Sequence, residues 1–106
     1  MNQEIIEAVI DNGILSFDGR ILELFFSKNR GWEYQTAGYV RRFHLAVLYK
    51  LEIQTNRKGR RRLVVYVETD SLCPEVLGEF KAEQLPNIQR IIAEIERLKR
   101  KVGEVG

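Results

Sequence analysis

The chain has 106 residues, enough for one domain with one compact core, and its 44% hydrophobic and 30% charged residues argue against global disorder. The formal charge of +2 hides an uneven spread: residues 1–53 carry six basic and seven acidic side chains, residues 54–106 eleven and eight, so any electrostatic partner is to be sought locally. Cys73 is the only cysteine, which excludes an intrachain disulfide and favours a reducing, cytoplasmic compartment. The N-terminus lacks the basic stretch and apolar core of a signal peptide, and no apolar run approaches the roughly 20 residues that span a bilayer.

In chain order, residues 4–10 come first. Ile5, Ile6, Val9 and Ile10 could mark a helix face, but they are β-branched and Asn12-Gly13 follows at once, so a strand is expected. Asn12-Gly13 and Asp18-Gly19 both read as tight hairpin turns, because these residue types tolerate positive φ. They bracket strands over residues 14–17 and 20–26, with Leu22, Leu24 and Phe26 on one face. Residues 27–38 are polar and glycine-punctuated, the pattern of a loop. A strand resumes over residues 39–45. Val47, Tyr49, Leu51 and Ile53 then alternate with Leu48, Lys50, Glu52 and Gln54, the period of a half-buried strand. Residues 55–61 form a polar turn around Gly59. Leu63, Val65 and Val67 alternate with Val64, Tyr66 and Glu68, residues 69–74 connect, and residues 75–80 make a short last strand.

The period then changes. Leu85, Ile88, Ile92, Ile95, Leu98 and Val102, with Ile91 beside them, recur at three- and four-residue steps and predict an amphipathic helix over about residues 84–102. Pro86 suits its first turn and Gly103 the position just past its end. Glu96 and Arg100 are spaced i, i+4, and Lys99, Arg100 and Lys101 fall near the negative end of the helix dipole. The expected architecture is mainly β: about seven antiparallel strands in a strongly bent sheet or partly open barrel, capped by one C-terminal helix, in a single domain over residues 1–106.

This order of elements resembles the pleckstrin-homology-like (PH-like) superfamily, and within it the short bacterial PH-like domains. The segments that carry the likeness are NGILSFDGRILEL, RRFHLAVLYKLEI and EFKAEQLPNIQRIIAEIERL, so it covers about residues 11–101. The resemblance implies a binding or scaffolding module. Many eukaryotic PH domains bind phosphoinositides through basic residues of the first strand pair. Here those turns are tight and Arg20 is the only basic residue nearby, so that site is not expected.

Candidate binding residues fall in three groups. Arg57, Lys58, Arg60, Arg61 and Arg62 place five cations in six residues at a hairpin tip, able to contact the phosphates of nucleic acid or anionic lipid, or simply to stay solvated and protect the sheet. Lys28, Arg30, Trp32 and Tyr34 combine cations with rings, as single-stranded nucleic acid sites do, although a lone Trp can equally anchor a loop. Arg41 and Arg42 point to opposite faces of a strand, one expected in solvent and the other paired with an acid. One His (His44) and one Cys give no ligand set for structural zinc, and Cys73 has no evident activating partner, so neither metal nor cofactor is expected. Phosphate-loop, HExxH and GxSxG motifs are absent, and the function expected is non-catalytic. The expected partner is another protein or a second copy of the chain, bound at a sheet edge or the surface of residues 28–42. Nucleic acid or anionic lipid at residues 57–62 is the alternative.

Overall fold

The computed structural model describes residues 4–27, 38, 40–68 and 74–105, with side chains through residue 100. Among the described residues seven strands precede the helix: β1 (Ile6–Ile10), β2 (Gly13–Phe17), β3 (Ile21–Phe26), β4 (Val40–His44), β5 (Leu48–Thr55), β6 (Arg61–Val67) and β7 (Pro74–Phe80). They form two antiparallel sheets, ordered β1-β2-β3-β4 and β5-β6-β7, without closing into a barrel. A 3-10 turn (Ala82–Gln84) leads into α1 (Leu85–Val105). The expected mainly β architecture with a single C-terminal helix is thus what the chain adopts.

Alternation decides which side chains enter the core. Ile6, Ala8, Ile10, Leu15, Phe17, Leu22, Leu24, Phe26 and Phe43 point inward from the first sheet, and Leu48, Leu51, Leu63, Val65, Leu77 and Phe80 from the second. Ile88, Ile91 and Ile95 of α1 fill the space between them, with Leu85, Ile92 and Leu98 at the margin. Ile91, with no exposed surface, is therefore central to the stripe, and Ile92 flanks it.

Several local expectations are corrected. Asn12-Gly13 is not the centre of a positive-φ turn. Ile10 opposes Gly13, so Asp11 and Asn12 form the two-residue loop, and neither Asn12 nor Gly13 has positive φ. Gly13 is needed for a different reason: a Cβ there would meet the Phe25 carbonyl oxygen at 1.8 Å, so β3 passes too close for a side chain. At the second turn Gly19 does take φ 96°, while Asp18 Oδ1 accepts hydrogen bonds from the Arg20 and Ile21 amides (2.9 and 2.8 Å). These two bonds, Ile21 first, hold the Asp18 carboxyl below its usual value of 3.8.

The alternation expected from Val47 breaks because Tyr49 is the extra residue of a bulge: Leu48 opposes Val67 and Lys50 opposes Tyr66. One inserted residue shifts the phase by one, so Leu48 joins Leu51 in the core and Val47 and Tyr49 are exposed. A second irregularity pairs Leu63 with Gly78 but Val64 with Val76, and it turns Leu77 inward.

The helix does not stop at Gly103 but runs to Val105. A glycine inside a helix costs only about 1 kcal/mol, which the hydrogen bonds of the residues beyond it offset. Lys99, Arg100 and Lys101 consequently lie before the last turn, beyond the short reach of the dipole. Lys99 instead donates to the Leu45 carbonyl (3.2 Å) and approaches Glu68 (3.6 Å), pinning α1 to the β4–β5 turn. The expected Glu96–Arg100 pair gives way to Glu94–Arg97, and this contact lowers the Glu94 carboxyl pKa.

A strut joins the two sheets where β1 meets β7. The Asp11 amide donates to the Glu79 carbonyl (2.8 Å), the Glu79 amide donates back to Asp11 Oδ1 (3.0 Å), and buried Asn12 donates from Nδ2 to the Leu77 carbonyl (2.5 Å). Gln84 Oε1 accepts from the Val9 amide (2.8 Å), so the outward edge of β1 is already occupied at that point.

Candidate functional site

The basic hairpin between β5 and β6 is a built loop. Asn56 organises it: its Oδ1 accepts from the Lys58 and Arg60 amides (2.9 Å each), its amide donates to the Arg60 carbonyl (2.9 Å), and its carbonyl accepts from Gly59 (3.0 Å). Gly59 sits at φ 80° with open space around it. Arg57, Lys58, Arg60 and Arg62 are exposed and Arg61 is half-buried, on the side of the strand that continues to Leu63 and Val65. Arg62 lies on the opposite face and donates from Nε and Nη2 to Gln54 Oε1 (3.1 and 2.9 Å). Arg60 is 4.0 Å from Glu79, whereas Arg57, Lys58 and Arg61 have no carboxylate partner among the described residues. A cleft of about 220 Å³ lies between Arg60, Arg62, Gln54, Asn56 and Glu79. The Glu79 carboxylate disfavours an anion inside the cleft, so the accessible positive field is at the tip, on Arg57 and Lys58.

The outer face of the second sheet continues from Arg62 as a polar network. Tyr66 donates to Glu52 Oε2 (2.9 Å), Gln54 donates to the same oxygen (3.2 Å), and Lys50 stands over the Tyr66 ring at 4.8 Å. The Gln54 and Tyr66 donors lower the Glu52 pKa, and bonding to that carboxylate raises the Tyr66 pKa. These polar groups answer one another and present little unmet bonding capacity.

Arg41 and Arg42 do point to opposite faces, but both are paired. Arg41 bridges the sheets, donating from Nε and Nη2 to the Glu75 carboxylate (3.0 and 2.6 Å) with its guanidinium 5.0 Å above the Phe43 ring. Arg42 donates to Glu23 (2.8 Å), its direct cross-strand neighbour. Arg41 meets β7 at Glu75 and the hairpin meets it at Glu79, so the basic residues do not merge into one patch. Lys28, Arg30, Trp32 and Tyr34 lie outside the described residues, as does Cys73. His44 is exposed on β4. Among the described residues no cluster of His, Cys, Asp and Glu could hold a metal ion, and no helix is long and apolar enough to cross a membrane.

Two features escape a reading of the sequence. A cavity of about 490 Å³ opens beside the strut, lined by Val9, Asp11, Glu79, Phe80, Lys81 and Gln84 among others. On the solvent face of the four-stranded sheet an apolar row crosses all four strands: Val9 opposes Ile14, Ile14 opposes Phe25, and Phe25 opposes Val40. Val9 is 56% exposed and Ile14 and Phe25 41% each, with Val40 half-buried at the end. The next row along the strands is Glu7, Ser16, Glu23 and Arg42. Each apolar residue sits at an outward position of its own strand, and only the register shows that four of them align.

No protein-family model, curated protein or solved structure matches the chain.

Proposed function

We propose that the chain is a PH-like, non-catalytic binding module that docks a protein on the solvent face of its four-stranded sheet. The observation that carries this reading is the row Val9–Ile14–Phe25–Val40. Four apolar residues directly opposite one another across the four strands mark a docking surface, since isolated exposed apolar residues are ordinary but aligned ones are not. The four-plus-three division of strands under a C-terminal helix supports the PH-like reading. The single cysteine supports a reducing, cytoplasmic setting. Docking on the face is favoured over strand addition at β1, because Gln84 and Glu79 already satisfy amides along that edge. A photo-crosslinking residue at position 25 is expected to form protein adducts in cells of the source organism, while the same residue at position 66, within the self-satisfied network, is not. Equal yields at the two positions would refute the docking face.

A second reading is favoured by the tip of the basic hairpin, where Arg57 and Lys58 face solvent without an acid among the described residues. There the partner would be a polyanion, nucleic acid or an anionic membrane. Binding of labelled duplex DNA would weaken with salt at a log–log slope near −0.9 per phosphate contacted. Replacing Arg57 and Lys58 with Ser would remove it, while the backbone bonds to Asn56 kept the loop in shape. Unchanged affinity in that double variant would eliminate the hairpin tip as the site.

A further inference from the structure

We propose that the occupant of the apolar row is a second copy of this chain, packed face to face about a two-fold axis parallel to the strands and passing between β2 and β3. The inference rests on the reading above that this row is a docking surface, and it names the partner. A two-fold contact is isologous: whatever one copy offers at one end of its surface, the other must answer at the opposite end. Rotation about an axis along the strands reverses the strand order and keeps the position along each strand. Val9 then lies over Val40 of the second copy, and Ile14 lies over its Phe25, so the apolar row covers itself completely.

The charged row decides for this arrangement. In the same rotation Glu7 of one copy lies over Arg42 of the other, twice by symmetry, and Ser16 lies over Glu23. No acid faces an acid. Arg42 already holds Glu23 of its own chain from one side, at 2.8 Å, and its exposed guanidinium has donors left for a second carboxylate. Glu7 is exposed at the outer edge of β1 and has no ion-pair partner among the described residues. A two-fold axis across the strands would instead lay the apolar row on itself with each Glu7 row carried away from the partner, leaving those carboxylates unanswered. Charge complementarity therefore selects the axis along the strands.

The contact is small. Eight side chains per copy fall well below the roughly 20–30 per side of a standard interface, and the twist of neighbouring strands, about 20–25° each, splays the edges of the two sheets. A weak dimer follows, with a dissociation constant between about 10 μM and 1 mM, so the test must reach about 1 mM protein.

Sedimentation equilibrium on the intact chain tests this with the variants Phe25→Asp, Glu7→Arg, Arg42→Glu and the double swap Glu7→Arg/Arg42→Glu. Thermal melts would confirm that each is folded. Wild type is expected to dimerise and Phe25→Asp to be monomeric. Glu7→Arg alone, which leaves the Arg42–Glu23 pair intact, is expected to weaken association about tenfold or more, and the double swap to recover most of the loss. Three results would overturn the proposal: wild type monomeric at about 1 mM, Phe25→Asp still dimeric, or a double swap no better than Glu7→Arg. The crosslink at position 25 separates this failure from failure of the docking face. Adducts of a different mass with a monomeric wild type would sink the second copy and keep the docking face. Adducts only within one chain, to residues 28–39, would sink both.

Discussion

Replacing Gly78 with alanine is expected to be among the most damaging single-methyl changes in this chain, because the residue stands where the sheets are tied together. Its φ is 151°, which side chains rarely adopt, and a Cβ would stand 2.5 Å from Asp11 Oδ1 and 2.9 Å from Asn12 Nδ2. Forcing an L-residue into such backbone costs about 1–3 kcal/mol. Moving Asn12 aside strands the buried Leu77 carbonyl it serves, for about 1–3 kcal/mol more. The total of about 2–6 kcal/mol is a large share of the roughly 5–15 kcal/mol that holds a domain together. Gly59→Ala is the control. Its φ of 80° is also positive but nothing lies within 4 Å, so only the backbone cost of about 1–2 kcal/mol applies. Urea unfolding and thermal melts followed by circular dichroism would compare the two, with a Tm drop for Gly78→Ala of at least about 8 °C. Asn12→Ala should cost less in the Gly78→Ala background than in wild type, since part of what it removes is then already displaced. Equal losses for the two glycines, or strict additivity of Asn12→Ala and Gly78→Ala, would refute the strut as described.

Other expectations follow from the same geometry. Ile91→Ala, at a site with no exposed surface between the sheets and α1, should destabilise by about 2–5 kcal/mol in the same urea assay. Removing Arg41 and Glu75 singly and together should give a coupling energy of no more than about 1 kcal/mol, despite the two-pronged contact, because their side chains are 43% and 39% exposed. Asp18→Asn should show a pH signature. The folded Asp18 pKa lies below 3.8, so its contribution is complete above that value and fades as pH falls through the folded pKa. The stability gap between wild type and Asp18→Asn should therefore be constant from about pH 7 to pH 5 and close in the acid range. A gap that widened on acidification would contradict the turn bonds to Arg20 and Ile21.

Side-chain chemistry along the chain was sufficient to place seven strands, one helix and nearly all of the core, since period 2 and period 3.6 are local properties that burial then enforces. The basic hairpin was legible for the same reason, its cations being consecutive. What tertiary structure decided was register and phase. Tyr49 and Leu77, each the extra residue of an irregularity, rephased their strands through partners distant in sequence, so alternation alone put Val47 and Tyr49 with Leu51. Gly13 reads as a turn residue until Phe25 is seen pressing against it. Arg41 and Arg42 found Glu75 and Glu23, 34 and 19 residues away, and no spacing rule links them. The apolar row shows the distinction most clearly. Val9, Ile14, Phe25 and Val40 each face outward by a rule readable one strand at a time. Their alignment into a single surface depends on hydrogen-bond pairing between strands, a relation that exists only once the sheet has formed.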